Sequence, residues 1–182
     1  MSDLNVQSNT TRLAKMGMMA AIACIFGLVR FPIIPVVAFL TYDFADIPIV
    51  ISSFAFGPVA GIMVAAVVSF IQAFLLGGDA IYGFIMHMLS TGVFVLVSGL
   101  IYKKHKTKKV AVVSMAIATV ITIIVMFFAN LWITPFYLGG EAVKDMIVSL
   151  MPAILLFNLI KWVANSVLTF LLYKRISGFL HK

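Results

Sequence analysis

The sequence predicts an all-α integral membrane protein, six transmembrane helices in one bundle with the N- and C-termini cytoplasmic. Three observations predict it. Of 182 residues, 63% are hydrophobic and only 10% charged, and the mean hydropathy is +1.16; a soluble domain is about half apolar and a quarter charged. The length suits about six spans of roughly 20 residues with short loops, so residues 1–182 read as a single membrane domain. Finally, the basic residues cluster before the first apolar segment (Arg12, Lys15), between the fourth and fifth (Lys103, Lys104, Lys106, Lys108, Lys109) and after the last (Lys174, Arg175, Lys182). Six spans place all three clusters on one side, which the positive-inside rule assigns to the cytoplasm. The acids Asp43, Asp46, Asp79, Glu141 and Asp145 then fall on or near the other side. The net charge of +7 is thus an orientation signal and not a nucleic-acid footprint.

The first span is expected over residues 13–30, where Met16–Val29 carries no charge. No small-residue cleavage site follows it, so it reads as a retained span. Its small residues Gly17, Ala20, Ala21 and Cys24 recur at helical spacing, a pattern that lets another helix approach closely. Internal packing explains the same pattern equally well. Cys24 is the single cysteine, which excludes an internal disulfide.

Residues 31–46, with Pro32, Pro35 and two acids, read as a long structured loop. The uncharged run Ile47–Leu76 would make one helix about 45 Å long, more than a bilayer core needs. Gly57-Pro58 is a strong breaker, so the run is expected to split into spans over 44–56 and 58–77. A single helix here would also put the lysine cluster on the wrong side. Further spans are expected over 81–103, 109–132 and 146–174.

Lys161 carries the most information. It lies in the middle of a long apolar segment, with Asn158 three residues before it and Asn165 four after. These positions share one helix face. An ammonium at bilayer depth is costly unless it meets a cavity or a partner. The stripe therefore points to a ligand site inside the bundle, the other reading being a lysine snorkelling to the interface. Asn130, near the outer end of the fifth span, needs a hydrogen-bond partner, as a ligand contact or as interhelical glue. Asp43 and Asp46 precede the second span either as helix caps or as part of a lid over a cavity.

Several functions are excluded or disfavoured. No G-x-x-x-x-G-K-[ST] phosphate loop occurs, so this chain is not expected to hydrolyse ATP in the usual way. His87, His105 and His181 are too scattered for a metal site, and His87 reads as a hydrogen-bonded bundle residue. No catalytic motif appears, and no enzyme activity or cofactor is expected.

Three stretches resemble one family, the substrate-binding S components of energy-coupling factor vitamin transporters, and within it the riboflavin-specific members. They are Leu40-Thr-Tyr-Asp-Phe-Ala-Asp-Ile-Pro48 with Phe54-Ala-Phe-Gly-Pro58; Asn130 with Thr134-Pro135; and Phe157-Asn-Leu-Ile-Lys161 continuing through Ser166 to Ser177. The family often has a glycine after the lysine, where Trp162 stands here. The resemblance implies a multi-pass protein of the cell membrane that captures riboflavin from outside as a transported ligand. It would dock through the first span, at Gly17, Ala20, Ala21 and Cys24, on a transmembrane coupling subunit driven by two ATPases. By the same likeness Leu40, Thr41, Asp43, Asn130, Asn158 and Lys161 would contact the vitamin. The alternatives are an S component for another vitamin, thiamine or a pyridoxine-like compound, and a stand-alone channel or secondary carrier using Lys161 and Asp46.

Overall fold

A computed structural model describes the backbone of residues 2–76 and 80–180 and the side chains of 9–76 and 80–173. Asp79, Lys182, the side chains of Lys174 and Arg175, and position 77 at the end of the third expected span lie outside the described residues. Six helical segments occur among those described. They are α1 (Ser2–Phe26), α2 (Asp46–Phe56), α3 (Pro58–Phe74), a continuous fourth segment made of α4 (Ala80–His87) and α5 (Val93–Lys104) joined by a π-helical turn (Met88–Gly92), α6 (Lys108–Leu138) and α7 (Lys144–Leu180). The α4–α5 element, α6 and the α7 segment are each long and apolar enough to cross a membrane.

Helix α1 ends at Phe26, and the chain turns at Gly27 with the Arg30 Nε donating to the Gly27 carbonyl at 2.8 Å. A short hairpin follows: β1 (Phe31–Pro32) pairs antiparallel with β2 (Thr41–Tyr42), with a 3-10 turn at Pro35–Val37 between them. The rings of Phe31, Tyr42 and Phe44 pack together at its base, and Val37 is buried against Ile147, Met151 and Ile154 of α7. The loop is therefore a folded cap seated on the bundle.

The break between α2 and α3 lies at Gly57, whose φ of +96° is open to glycine at little cost, followed by Pro58 at the first helical position. Helix α2 is about 16 Å long at 1.5 Å per residue, too short to cross a bilayer core by itself. It is buried along most of its length and packs on α1, α3, α5 and α7. Its first residue, Asp46, meets Lys161 midway along α7, because the cap before it descends into the bundle. Close approach here depends on glycine. A Cβ on Gly61 would stand 2.5 Å from the Ser53 Cβ, and one on Gly99 would collide with the Ser53 side chain and lie 3.0 Å from Pro58.

Thr107 caps α6, accepting from the Val110 N–H at 3.2 Å. The helix runs through Thr134 and Pro135 to Leu138, six residues beyond the end of the expected span at 132, and stops where Gly139 and Gly140 take φ of 143° and 76°. Proline inside a helix forfeits one backbone bond, yet the surrounding turns hold. The outer faces of α3, α6 and α7 expose Val67, Phe70, Ile124, Trp132, Val163 and Val167, the apolar surface expected of helices that meet lipid.

Candidate functional site

The cap, α4 with its π turn, α6 and α7 enclose a cavity of about 170 Å³. The cap contributes Phe39, Leu40 and Thr41; α4 and the π turn contribute Tyr82, Gly83, Met86, His87 and Ser90. Helix α6 adds Met126, Ile133, Thr134 and Tyr137, and α7 adds Phe157, Asn158 and Lys161. Aromatic rings and thioethers thus form the walls, and a few amide, hydroxyl and ammonium groups converge on them. A mostly apolar concavity with a few convergent polar groups is the usual form of a small-molecule site.

The polar floor is built around Asp46. Its carboxylate is fully buried and accepts from the Lys161 ammonium at 3.0 Å, the Thr91 hydroxyl at 2.6 Å and the Asn165 amide at 3.1 Å. His87 Nε2 lies 3.3 Å from the same carboxylate, and His87 Nδ1 is 2.6 Å from the Ser69 hydroxyl. A buried charge of either sign is tolerated only when paired and hydrogen-bonded, and here each has the other. The start of α2 adds a favourable dipole for the carboxylate. The π turn places Ser90 and Thr91 inward, Thr91 one turn beyond His87; such bulges concentrate at functional sites.

Two loop groups extend the network. The Tyr42 hydroxyl donates to Asn165 Oδ1 at 2.8 Å, tying the cap to α7. Burial, with Asp46 and Asp43 nearby, pushes the Tyr42 phenol up to about 12, so it remains a donor under ordinary conditions. Asp43 is buried and its Oδ1 accepts from the Ala45 N–H at 2.9 Å, a turn-closing bond. Burial pushes its carboxyl above the usual range, against the pull of the Lys161 ammonium. Asp46 makes no side-chain cap to α2.

The expected residues separate into groups. Leu40, Thr41, Asn158 and Lys161 line the main cavity. Asp43 lies beside it, lining a smaller chamber together with Thr41 and Lys161. Asn130 does not line the cavity; it is fully buried, donates to the Met126 carbonyl at 2.8 Å and accepts from Thr134 at 3.0 Å. Its neighbours in the same helix, Met126 and Thr134, reach the cavity instead. The polar stripe on α7 divides, Asn158 and Lys161 facing the cavity and Asn165 holding Asp46 and Tyr42. Gly17 and Ala21 are exposed on α1, whereas Ala20 and Cys24 are half-buried against the core.

His87, Tyr82 and Met86 were not legible as site residues from local sequence, and Asp46 entered only as a cap, as part of a lid or, with Lys161, in the carrier alternative. The signal for Asp46 was available: a buried lysine requires a counter-charge, and this acid opens an uncharged helix. Trp162 is fully buried; it stacks on Phe94 with ring centroids 3.9 Å apart and donates to the Ser90 hydroxyl at 3.3 Å. It thereby braces Lys161 and the π turn. Among the described residues no His, Cys, Asp or Glu cluster could hold a metal ion. A larger void of about 370 Å³ lies between α6 and α7, but Val112, Val163, Val167 and Leu171 line it from the exposed side and it offers little polar surface.

The model of the family described as "ECF transporter, substrate-specific component" matches residues 11–173. The chain is 33% identical over 185 residues to the riboflavin transporter RibU of Staphylococcus aureus (strain TCH60), covering 98% of this chain and 96% of that protein. It is 28% identical over 182 residues to the riboflavin transporter FmnP of Bacillus subtilis (strain 168), covering 94% of each. A solved structure of the S component of a bacterial ECF transporter superposes with a TM-score of 0.82 at 34% identity, covering 96% of this chain and 99% of that one.

Proposed function

This chain belongs to the substrate-specific components of ECF transporters, and on that premise we propose that it is the subunit that captures riboflavin from the extracellular side. The observation that carries the reading is the cavity under the cap, with Asn158 and Lys161 in its wall and apolar rings around them. Riboflavin has a flat ring system, an imide edge and a hydroxylated tail. An amide can both donate to and accept from an imide edge, and an ammonium offers three donors for carbonyl or hydroxyl oxygens. Leu40 and Thr41 would contact the vitamin from the cap. Asn130 would act through Thr134, whose hydroxyl it orients.

In this reading the six helical segments form one membrane domain with both ends cytoplasmic, as the positions of the basic clusters favour. Arg12 donates to the Phe56 carbonyl at 2.5 Å, which puts one basic cluster beside the α2–α3 turn. The end bearing the cap and Asp43 would then face outside. Energy would come from a module that this chain joins, a transmembrane coupling subunit with two ATPases. The exposed Gly17 and Ala21 would form the centre of the docking face, with Ala20 and Cys24 at its inner margin.

The deciding experiment is the absorption spectrum and flavin fluorescence of the detergent-purified protein. Bound or added riboflavin should be held and its fluorescence quenched. Protein without flavin affinity would overturn the reading, and mass spectrometry of any other ligand would identify the vitamin.

A further inference from the structure

The groove of about 370 Å³ between α6 and α7 shares no lining residue with the main cavity. Val112, Ala116 and Thr119 form one wall, and Val163, Val167 and Leu171 form the other. Val112, Val163, Val167 and Leu171 are each about half exposed, so the groove opens sideways, where the bilayer would be. Its hydroxyls are not available to a ligand. The Thr119 hydroxyl donates to the Met115 carbonyl at 2.9 Å, and the Ser166 hydroxyl oxygen is buried behind the wall. An occupant is therefore held along its length by apolar contact.

Length and charge narrow the class of occupant. Residues 112–119 and 163–171 each cover about 10–12 Å of helix at 1.5 Å per residue, less than the roughly 15 Å that one leaflet contributes to the hydrocarbon core. A membrane-spanning helix of a partner would need a seat through both leaflets. This groove stays within one. At its end lie basic residues. Lys108 and Lys109 precede Val112 by one turn on the same face of α6, and both are exposed. Among the described residues neither makes an ion pair. On α7, Lys174 and Arg175 follow Leu171 at the same spacing. The two helices pack together as an antiparallel pair across the short turn Gly140–Val143, so both basic pairs fall at one mouth. An apolar slot one leaflet deep with cations at its mouth complements a hydrocarbon tail bearing an anionic head, since basic residues at headgroup level attract anionic lipids.

We propose that this groove is a binding site for an anionic phospholipid, with one acyl chain lying between α6 and α7 and the phosphate headgroup held at the mouth by Lys108, Lys109 and the basic end of α7. The proposal rests on the chain spanning a membrane and not on which vitamin it captures.

The test is native mass spectrometry of the detergent-purified chain, with phosphatidylglycerol and phosphatidylcholine of identical acyl chains added in equal amounts. Phosphatidylglycerol should be retained at least about fivefold better, the scale of one lysine acting on an anionic headgroup. Lys108→Gln with Lys109→Gln should abolish that preference. Lys103→Gln with Lys106→Gln removes the same charge from residues that line a separate pocket beside the α2–α3 turn, and should leave the preference within about twofold. Ala116→Phe, or Val167→Phe from the facing wall, fills the groove and should lower retention of both lipids severalfold with the lysines intact. An unchanged melting temperature checks that each variant is folded. Equal retention of the two lipids by the unaltered chain overturns the proposal. An equal loss from the two lysine pairs does the same, because surface charge alone would then account for binding. Retention untouched by either filling variant would place the tail elsewhere. If those variants instead prevent co-purification with the energising subunits, the groove seats a partner's helix and the proposal also fails.

Discussion

The Lys161 ammonium lies 3.0 Å from the Asp46 carboxylate, with Asp46 fully buried and Lys161 nearly so. This pair joins the first residue of α2 to the middle of α7, and Thr91, Asn165 and His87 complete its hydrogen-bonding shell. A cation that also lines the cavity is thereby held in one place. It can offer its remaining donors to a ligand without the cost of ordering a long side chain on binding.

Breaking the pair from one side should be worse than removing it altogether. Asp46→Ala leaves a buried ammonium without its directly bonded counter-charge, at a cost of up to about 3–5 kcal/mol. The double variant Asp46→Ala with Lys161→Met is expected to regain more than half of that. Denaturation of the purified proteins in detergent measures both, and additive losses would show that the two groups do not depend on each other.

Asn158 tests the ligand wall with less structural disturbance. Its amide nitrogen already donates to the Ile154 carbonyl at 2.9 Å within its own helix. Asn158→Ala should weaken riboflavin by at least about 1 kcal/mol, roughly fivefold, with an unchanged melting temperature. Fluorescence titration reads the affinity; an unaltered value would remove Asn158 from the site.

Tyr42 tests the cap. Tyr42→Phe keeps the ring packing against Phe31 and Phe44 but loses the bond to Asn165. Loss of about 1 kcal/mol of cap attachment should appear as a severalfold faster release of riboflavin in stopped-flow fluorescence, with little change in association rate. Equal release rates would mean that the cap is held by its apolar contacts alone.

Docking and capture should separate. Gly17→Leu or Ala21→Leu adds bulk on an exposed face of α1, so vitamin uptake in cells should fall while flavin affinity of the purified chain stays the same. Uptake at the normal rate would place the docking face elsewhere. Gly99→Val probes internal packing instead: its side chain would enter space held by Ser53 and Pro58, and overpacking of this kind costs about 1–3 kcal/mol of stability.

Hydropathy, the Gly57-Pro58 break and the three basic clusters were enough to identify a six-helix membrane protein, because each is a local pattern answering directly to the bilayer. The stripe of Asn158, Lys161 and Asn165 was also legible, since three polar groups on one face of an apolar helix need partners wherever they point. Which partners they have was decided only by the fold. Asp46, His87 and Thr91 come from other helices, and nothing in the local pattern of any one helix names the residue it will face. The descent of the cap, which lets a short α2 begin at mid-bundle depth, and the division of the stripe between cavity and clasp arise from packing across the whole chain. Burial then made those long-range choices stringent, because a charge removed from water must find its complement in the same place.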